Sequence, residues 1–306
     1  MAIRPADHGI FAGAAGLAAI GGYFGGGNEP PLAATVDKFA FSDDSRSTLG
    51  TGLSVARQYL AAMANSGVAG YFGGGNSGSV VATVDKFAFA NDSRSTLGTG
   101  LSAARWLLAA MANSGTAGYF GGGNEAAMTA KVDKFAFADD SRTTLGTGLS
   151  AARNNLAGMA NSGTAGYFGG GYEAAAVATV DKFAFSDDSR TTLGTGLSVA
   201  RWGPAGMANS GTAGYFGGGI GASTVATVDK FAFSDDSRST LGTGLSVARF
   251  RLAGMADSGT AGYFGGGNTS GATVDKFAFS DDSRTTLGTG LSAARVALAA
   301  MANGNI

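Results

Sequence analysis

The chain has 306 residues, a formal net charge of -1 and only 14% charged residues, so it lacks the basic face that a nucleic-acid binder shows. It has no cysteine, which excludes disulfide frameworks, thiolate metal sites and cysteine nucleophiles together. Its 53 glycines stand against 4 prolines and recur at fixed places without a Gly-X-Y period, so they mark turns and close packing rather than disorder.

Residues 1–20, "MAIRPADHGIFAGAAGLAAI", place one Arg ahead of a small-residue apolar run, superficially like a secretory signal, but Asp7 and His8 interrupt it. They read as an extra segment in front of the repeats. No run of eighteen apolar residues occurs, so membrane insertion is not expected.

Residues 21–306 repeat with a period of 48. Tyr23, Tyr71, Tyr119, Tyr167, Tyr215 and Tyr263 keep that step, as do the arginines from Arg57 to Arg249. Arg295 arrives two residues early because "NTSGAT" shortens the stretch after the last triple glycine, which marks that stretch as a loop.

Four strands are expected per unit, as in residues 104–150. "ARWLLAAMA" (104–112) is the first, followed by the turn "NSG", and "TAGYFGG" (116–122) is the second. In the third, "KVDKFAFA" (131–138), alternation sets Asp133, Phe135 and Phe137 on one face and Val132, Lys134 and Ala136 on the other. An Asp-rich turn leads to the fourth, "RTTLGTGLS" (142–150). Glycine at this density would cost a helix about 1 kcal/mol per residue, so no helix is expected.

Six such units predict an all-β, six-bladed propeller of four-stranded antiparallel blades. A solenoid is the competing architecture, and the chain ends decide against it. The C-terminal "ARVALAAMANGNI" is a first strand with nothing behind it, and "GGYFGGG" near the start is a second strand whose first is degraded. Residues 293–303 should therefore supply the innermost strand of the blade begun by residues 21–53, removing exposed sheet edges.

The units resemble kelch-type propeller repeats. The resemblance rests on "GYFGGG", "TVDKFAF" and the Arg opening each inner strand, as in "SVARW", and departs where Leu49, Leu97, Leu145, Leu193, Leu241 and Leu287 replace the usual Trp. Regular units of this kind look like kelch-like proteins of bacteria and phages, including phage tail parts. That implies an extracellular or virion-associated setting, and a part in a larger assembly. "SDDSRSTL" (42–49) also resembles the Asp-box turn of sialidase-like propellers at Ser42, Asp44 and Thr48, with Arg46 and Leu49 departing.

Six copies can be compared with each other. Two windows vary: the stretch after the triple glycine and the pair after each Arg, such as Trp106-Leu107 and Asn154-Asn155. Strand direction puts both on one side of the disc, and the near-invariant turns on the other. Tyr59, Trp106, Asn154, Asn155, Tyr172, Trp202, Phe250 and Arg251 are the candidate binding residues, the aromatic ones with flat faces for sugar rings or a protein partner and the asparagines with hydrogen-bonding capacity.

No catalytic residue, metal site or cofactor is expected. His8 is the single histidine, and Glu29, Glu125 and Glu173 specify no carboxylate pair. Arg57, Arg105, Arg153, Arg201, Arg249 and Arg295 are expected to pair with Asp37, Asp85, Asp133, Asp181, Asp229 and Asp275, since buried charges are normally paired. The alternative role for these arginines is a cationic rim for an anionic sugar. The functional expectation is a non-enzymatic module for glycan or protein recognition. The alternatives are a structural subunit and, less well supported, a sialidase-like hydrolase.

Overall fold

The computed structural model describes residues 20–268 and 271–304, so the extra N-terminal segment lies outside the described residues except for Ile20. The rest is all-β: six blades of four antiparallel strands, arranged in a ring, with no helix. Blade 1 holds β1 (Gly21–Gly25), β2 (Val36–Ala40) and β3 (Arg46–Thr48), and its innermost strand is β24 (Ala299–Asn303) from the other end of the chain. Tyr23 pairs with Met301 in that closure. The other blades are consecutive: β4 (Ala61–Asn65) to β7 (Ser93–Thr96), β8 (Ala109–Asn113) to β11 (Arg142–Thr144), β12 (Ala157–Asn161) to β15 (Arg190–Thr192), β16 (Ala205–Asn209) to β19 (Arg238–Thr240), and β20 (Ala253–Asp257) to β23 (Arg284–Thr286).

The strands are shorter than the sequence pattern suggests. The expected first strand at 104–112 is reduced to Ala109–Asn113, because Leu107 sits at φ 58° and turns the chain before the ladder begins. Each Arg therefore precedes its inner strand instead of opening it. The expected fourth strand at 142–150 stops at Thr144. Beyond it the chain continues in the same direction towards the loop face, with Leu149 donating its N–H to Ala130 O at 2.8 Å.

The core lies between blades, as six similar clusters. In one of them Met63, Tyr71, Val84 and Leu101 of blade 2 meet Leu108, Phe120, Phe135 and Phe137 of blade 3. The second strand must pass close to both neighbours, which explains its glycines. A Cβ on Gly121 would lie 2.6 Å from Phe168 Cζ of blade 4, and one on Gly118 would overlap Met63 Sδ of blade 2. Tyr119 stacks on Phe185 of the next blade with ring centroids 5.4 Å apart, and the other five tyrosines repeat this contact.

Candidate functional site

Each repeat reaches the loop face through the segment Ser-x-x-Arg. In blade 2, Arg57 pairs with Asp85 at 2.9 Å and also donates to Phe72 O at 3.1 Å. Asp85 Oδ2 accepts from the N–H and Oγ of Ser54, both at 2.9 Å, and Oδ1 accepts from Thr96 at 2.7 Å. The other blades repeat the pairing: Arg105–Asp133 at 2.8 Å, and Arg153–Asp181, Arg201–Asp229 and Arg249–Asp275 each at 2.9 Å. Arg295 joins Asp37 across the closure.

All twelve side chains are fully buried, so these arginines form no cationic rim. Burial pulls the guanidinium of Arg57, Arg105, Arg201, Arg249 and Arg295 below its ordinary value, and the partner carboxylate counteracts part of this. They stay cationic at neutral pH. Burial alone would raise Asp85 and Asp229. The facing arginine and the Ser and Thr hydrogen bonds outweigh it, so both stay below the ordinary carboxylate range. Asp181 and Asp275 follow the same pattern.

The two residues after each Arg carry the variable face, and their backbones are tightly held. Trp106 exchanges N–H···O bonds of 3.1 and 2.9 Å with Asn124, at the start of the other variable window. Gln58–Asn76, Asn154–Tyr172, Trp202–Ile220 and Val296–Asn28 do the same. The second residue of each pair closes a ring around the axis: Leu107 N–H donates to Tyr59 O, Asn155 to Leu107, Gly203 to Asn155, Arg251 to Gly203, Ala297 to Arg251 and Tyr59 to Ala297, all at 2.7–2.9 Å. All six adopt the left-handed conformation, φ 50–65°. Sequence reasoning missed this ring. Only Asn155 and Gly203 carry the residue types that signal positive φ.

On this frame the candidate side chains form a crescent around part of the axial opening. Tyr59 and Trp106 meet edge to face with centroids 5.1 Å apart, and Trp202 and Phe250 do so at 4.9 Å. Both tryptophans are half-buried, and Tyr172 is exposed. Arg251 reaches over Ala297 to Tyr59, donating to its hydroxyl at 2.9 Å, and its guanidinium lies over the rings of Tyr59, Trp202 and Phe250 at 4.8, 5.1 and 5.4 Å. Asn154, Asn155, Tyr172, Trp202 and Arg251 line a hollow of about 230 Å³.

Asn154 does not stand free on the surface as the sequence reading expects. It is buried, donating to Asn124 Oδ1 at 3.0 Å and accepting from Asn155 Nδ2 at 2.9 Å. Its amide positions Asn155 and leaves little to offer a ligand.

The opposite face is bonded differently. Asn65 Oδ1 accepts the N–H of Gly115 in the next blade at 2.8 Å, and Ser114 Oγ accepts the N–H of Ser66 at 2.9 Å. In the Asp-rich turn, Asp139 caps Ser141 N–H at 3.0 Å. Its neighbour Asp140, at φ 57°, accepts from Tyr71 at 2.8 Å and Lys86 at 2.7 Å of the preceding blade. The second turn Asp is thus a blade-to-blade clamp, which local turn chemistry did not reveal. Burial and the Asp140 hydrogen bond push the Tyr71 hydroxyl well above its ordinary value.

Among the described residues, no group of three His, Cys, Asp or Glu side chains could hold a metal ion, and no helix is long and apolar enough to cross a membrane. In comparison with known proteins, the chain matches no family model, and no curated protein is significantly similar to it.

Proposed function

We propose that this propeller, built of kelch-type repeats, is a non-enzymatic recognition module that binds a glycan or protein partner on its loop face. One observation carries the reading. On a scaffold whose six copies are otherwise near-identical, Tyr59, Trp202 and Phe250 gather around Arg251 with Trp106 packed on Tyr59, and all five side chains remain partly exposed. Neither the inter-blade core nor the buried ion pairs use these residues, and ring faces beside hydrogen-bonding groups are what sugar and protein anchors require. Tyr59, Asn155, Tyr172 and Arg251 would supply the polar contacts. Screening the intact protein on a glycan array, alongside Trp106→Ala and Trp202→Ala, tests this. Reproducible binding weakened in both variants supports it, whereas binding unaffected by either places recognition elsewhere.

A second reading, a structural subunit of a larger assembly such as a phage tail, draws on a different feature. Val55, Val199 and Val247 occupy one repeat position at the loop face and are 51%, 46% and 45% exposed. Exposed apolar side chains in a rotational array suit docking against another disc. Light scattering across a concentration series separates the two, since an assembly subunit associates without any added ligand.

A further inference from the structure

Arg251 differs from every other lysine and arginine among the described residues. Each of those makes an ion pair with a carboxylate. Arg251 makes none with a described residue. Its guanidinium has one side-chain hydrogen bond, to the neutral hydroxyl of Tyr59. A half-buried cation held by ring faces and one neutral hydroxyl is incompletely compensated, and a protein that pairs its other described cations so consistently leaves this one for something else.

The surroundings make room for the side chain. The preceding copy has Gly203 at the equivalent position, where even a Cβ would come within 3.4 Å of Arg251 Cγ. The hollow beside it is walled by Trp202 and Tyr172, with the Asn155 amide at its edge. At about 230 Å³ it is smaller than the roughly 300–1,000 Å³ that encloses a drug-sized ligand, which suits one ring rather than several.

We infer that the hollow between Tyr172, Trp202 and Arg251 is a subsite for a carboxylate-bearing sugar, a uronic or sialic acid residue within a glycan. The carboxylate lies against the Arg251 guanidinium, the pyranose ring packs on the Trp202 and Tyr172 faces, and Asn155 meets a ring hydroxyl. A planar anion on a guanidinium gains charge-assisted hydrogen bonds, and an aromatic wall favours a ring over a flexible acidic side chain. This inference rests on the loop-face recognition reading and narrows its ligand class.

The test uses the intact protein with oligogalacturonate, colominic acid, the carboxyl-reduced neutral form of the first, and an acetylated Asp-rich peptide as probes. Titration calorimetry should show binding of at least one acidic sugar. Carboxyl reduction should weaken it at least tenfold, and so should Arg251→Asn. That variant is chosen because Asn155 already occupies the same left-handed position at φ 50°. Binding should also weaken as salt rises. Equal binding of the acidic and reduced sugars, abolished by Trp202→Ala, would overturn the anionic assignment and leave the recognition surface standing. Preference for the peptide would overturn the sugar assignment. Silence from all four probes overturns the subsite.

Discussion

One face of the disc is built from short turns and is nearly invariant across the six copies, whereas the other is built from the longer connections and is not. On the invariant face the side chains hold neighbouring blades together: Asn65 and Ser114 bond across the junction between blades 2 and 3, and Asp140 clamps Tyr71 and Lys86. On the variable face the backbone takes over that role, through the six-membered ring of N–H···O bonds and the paired bridges of the windows. Backbone bonds are indifferent to the side chain, so Leu107, Asn155, Gly203 and Arg251 can occupy equivalent places. Variability on the loop face therefore shows that side chains are free there, not that they function. What points to function is which residues accumulated, and these are aromatic rings around a cation without a carboxylate partner among the described residues.

The greatest loss should come from attacking what both faces depend on. Deleting residues 293–306 removes β24, leaves the β1 edge open and exposes the cluster around Tyr23 and Val36. Loss of the cooperative transition and growth of large species in size-exclusion chromatography are expected. A monomeric variant with an unchanged melting curve would show that closure contributes nothing.

Next come the buried ion pairs that anchor the loop face to the blades. Asp133→Ala strands the Arg105 guanidinium at zero exposure and removes the acceptor of Ser102 and Thr144. Chemical denaturation should show a loss of about 3–5 kcal/mol.

A smaller effect should appear in the pH dependence. Asp85, Asp181, Asp229 and Asp275 sit below their ordinary values, so the folded state binds fewer protons than the unfolded chain in acid. Their contribution is present above about pH 4 and declines as pH falls through the lower folded values. The tyrosines on the clamps act in the opposite sense. Their raised values keep them neutral in the fold, and that stability is lost above about pH 10 as the unfolded chain ionises first. Denaturation free energies should be flat between these limits and fall outside both. Stability still rising above about pH 10 would contradict the clamp assignment.

Removing one clamp hydroxyl, Tyr119→Phe, deletes the bond to Asp188 while leaving the stack on Phe185. A cost of about 1 kcal/mol is expected by denaturation.

What the sequence could tell follows the same division. The period, the blade count, the closing strand and the Arg–Asp pairs were legible because each repeats in register, and because a first strand without followers has one obvious home. The clamps were not. Asp140 and Tyr71 are 69 residues apart, their partnership joins different repeats, and in identical copies an invariant Asp looks the same whether it serves its own turn or its neighbour. The first strand was overestimated because the apolar run "WLLAAMA" starts at Trp106 and Leu107, where the backbone has not yet left the axial ring. Asn154 was misplaced for a related reason: it belongs to a variable window, but its own amide is consumed by Asn124 and Asn155.

If the crescent serves recognition and not folding, stability and binding should come apart in a single triple variant, Trp106→Ala, Trp202→Ala and Arg251→Asn. Melting temperature and glycan or partner binding are measured on one preparation. The melting temperature should fall by less than about 5 °C, because the three positions lie outside the blade-to-blade core and surface replacements each move stability by about 0.5 kcal/mol or less. Binding should be lost. A fall of more than about 10 °C, or binding retained at wild-type strength, would contradict a recognition role for the crescent.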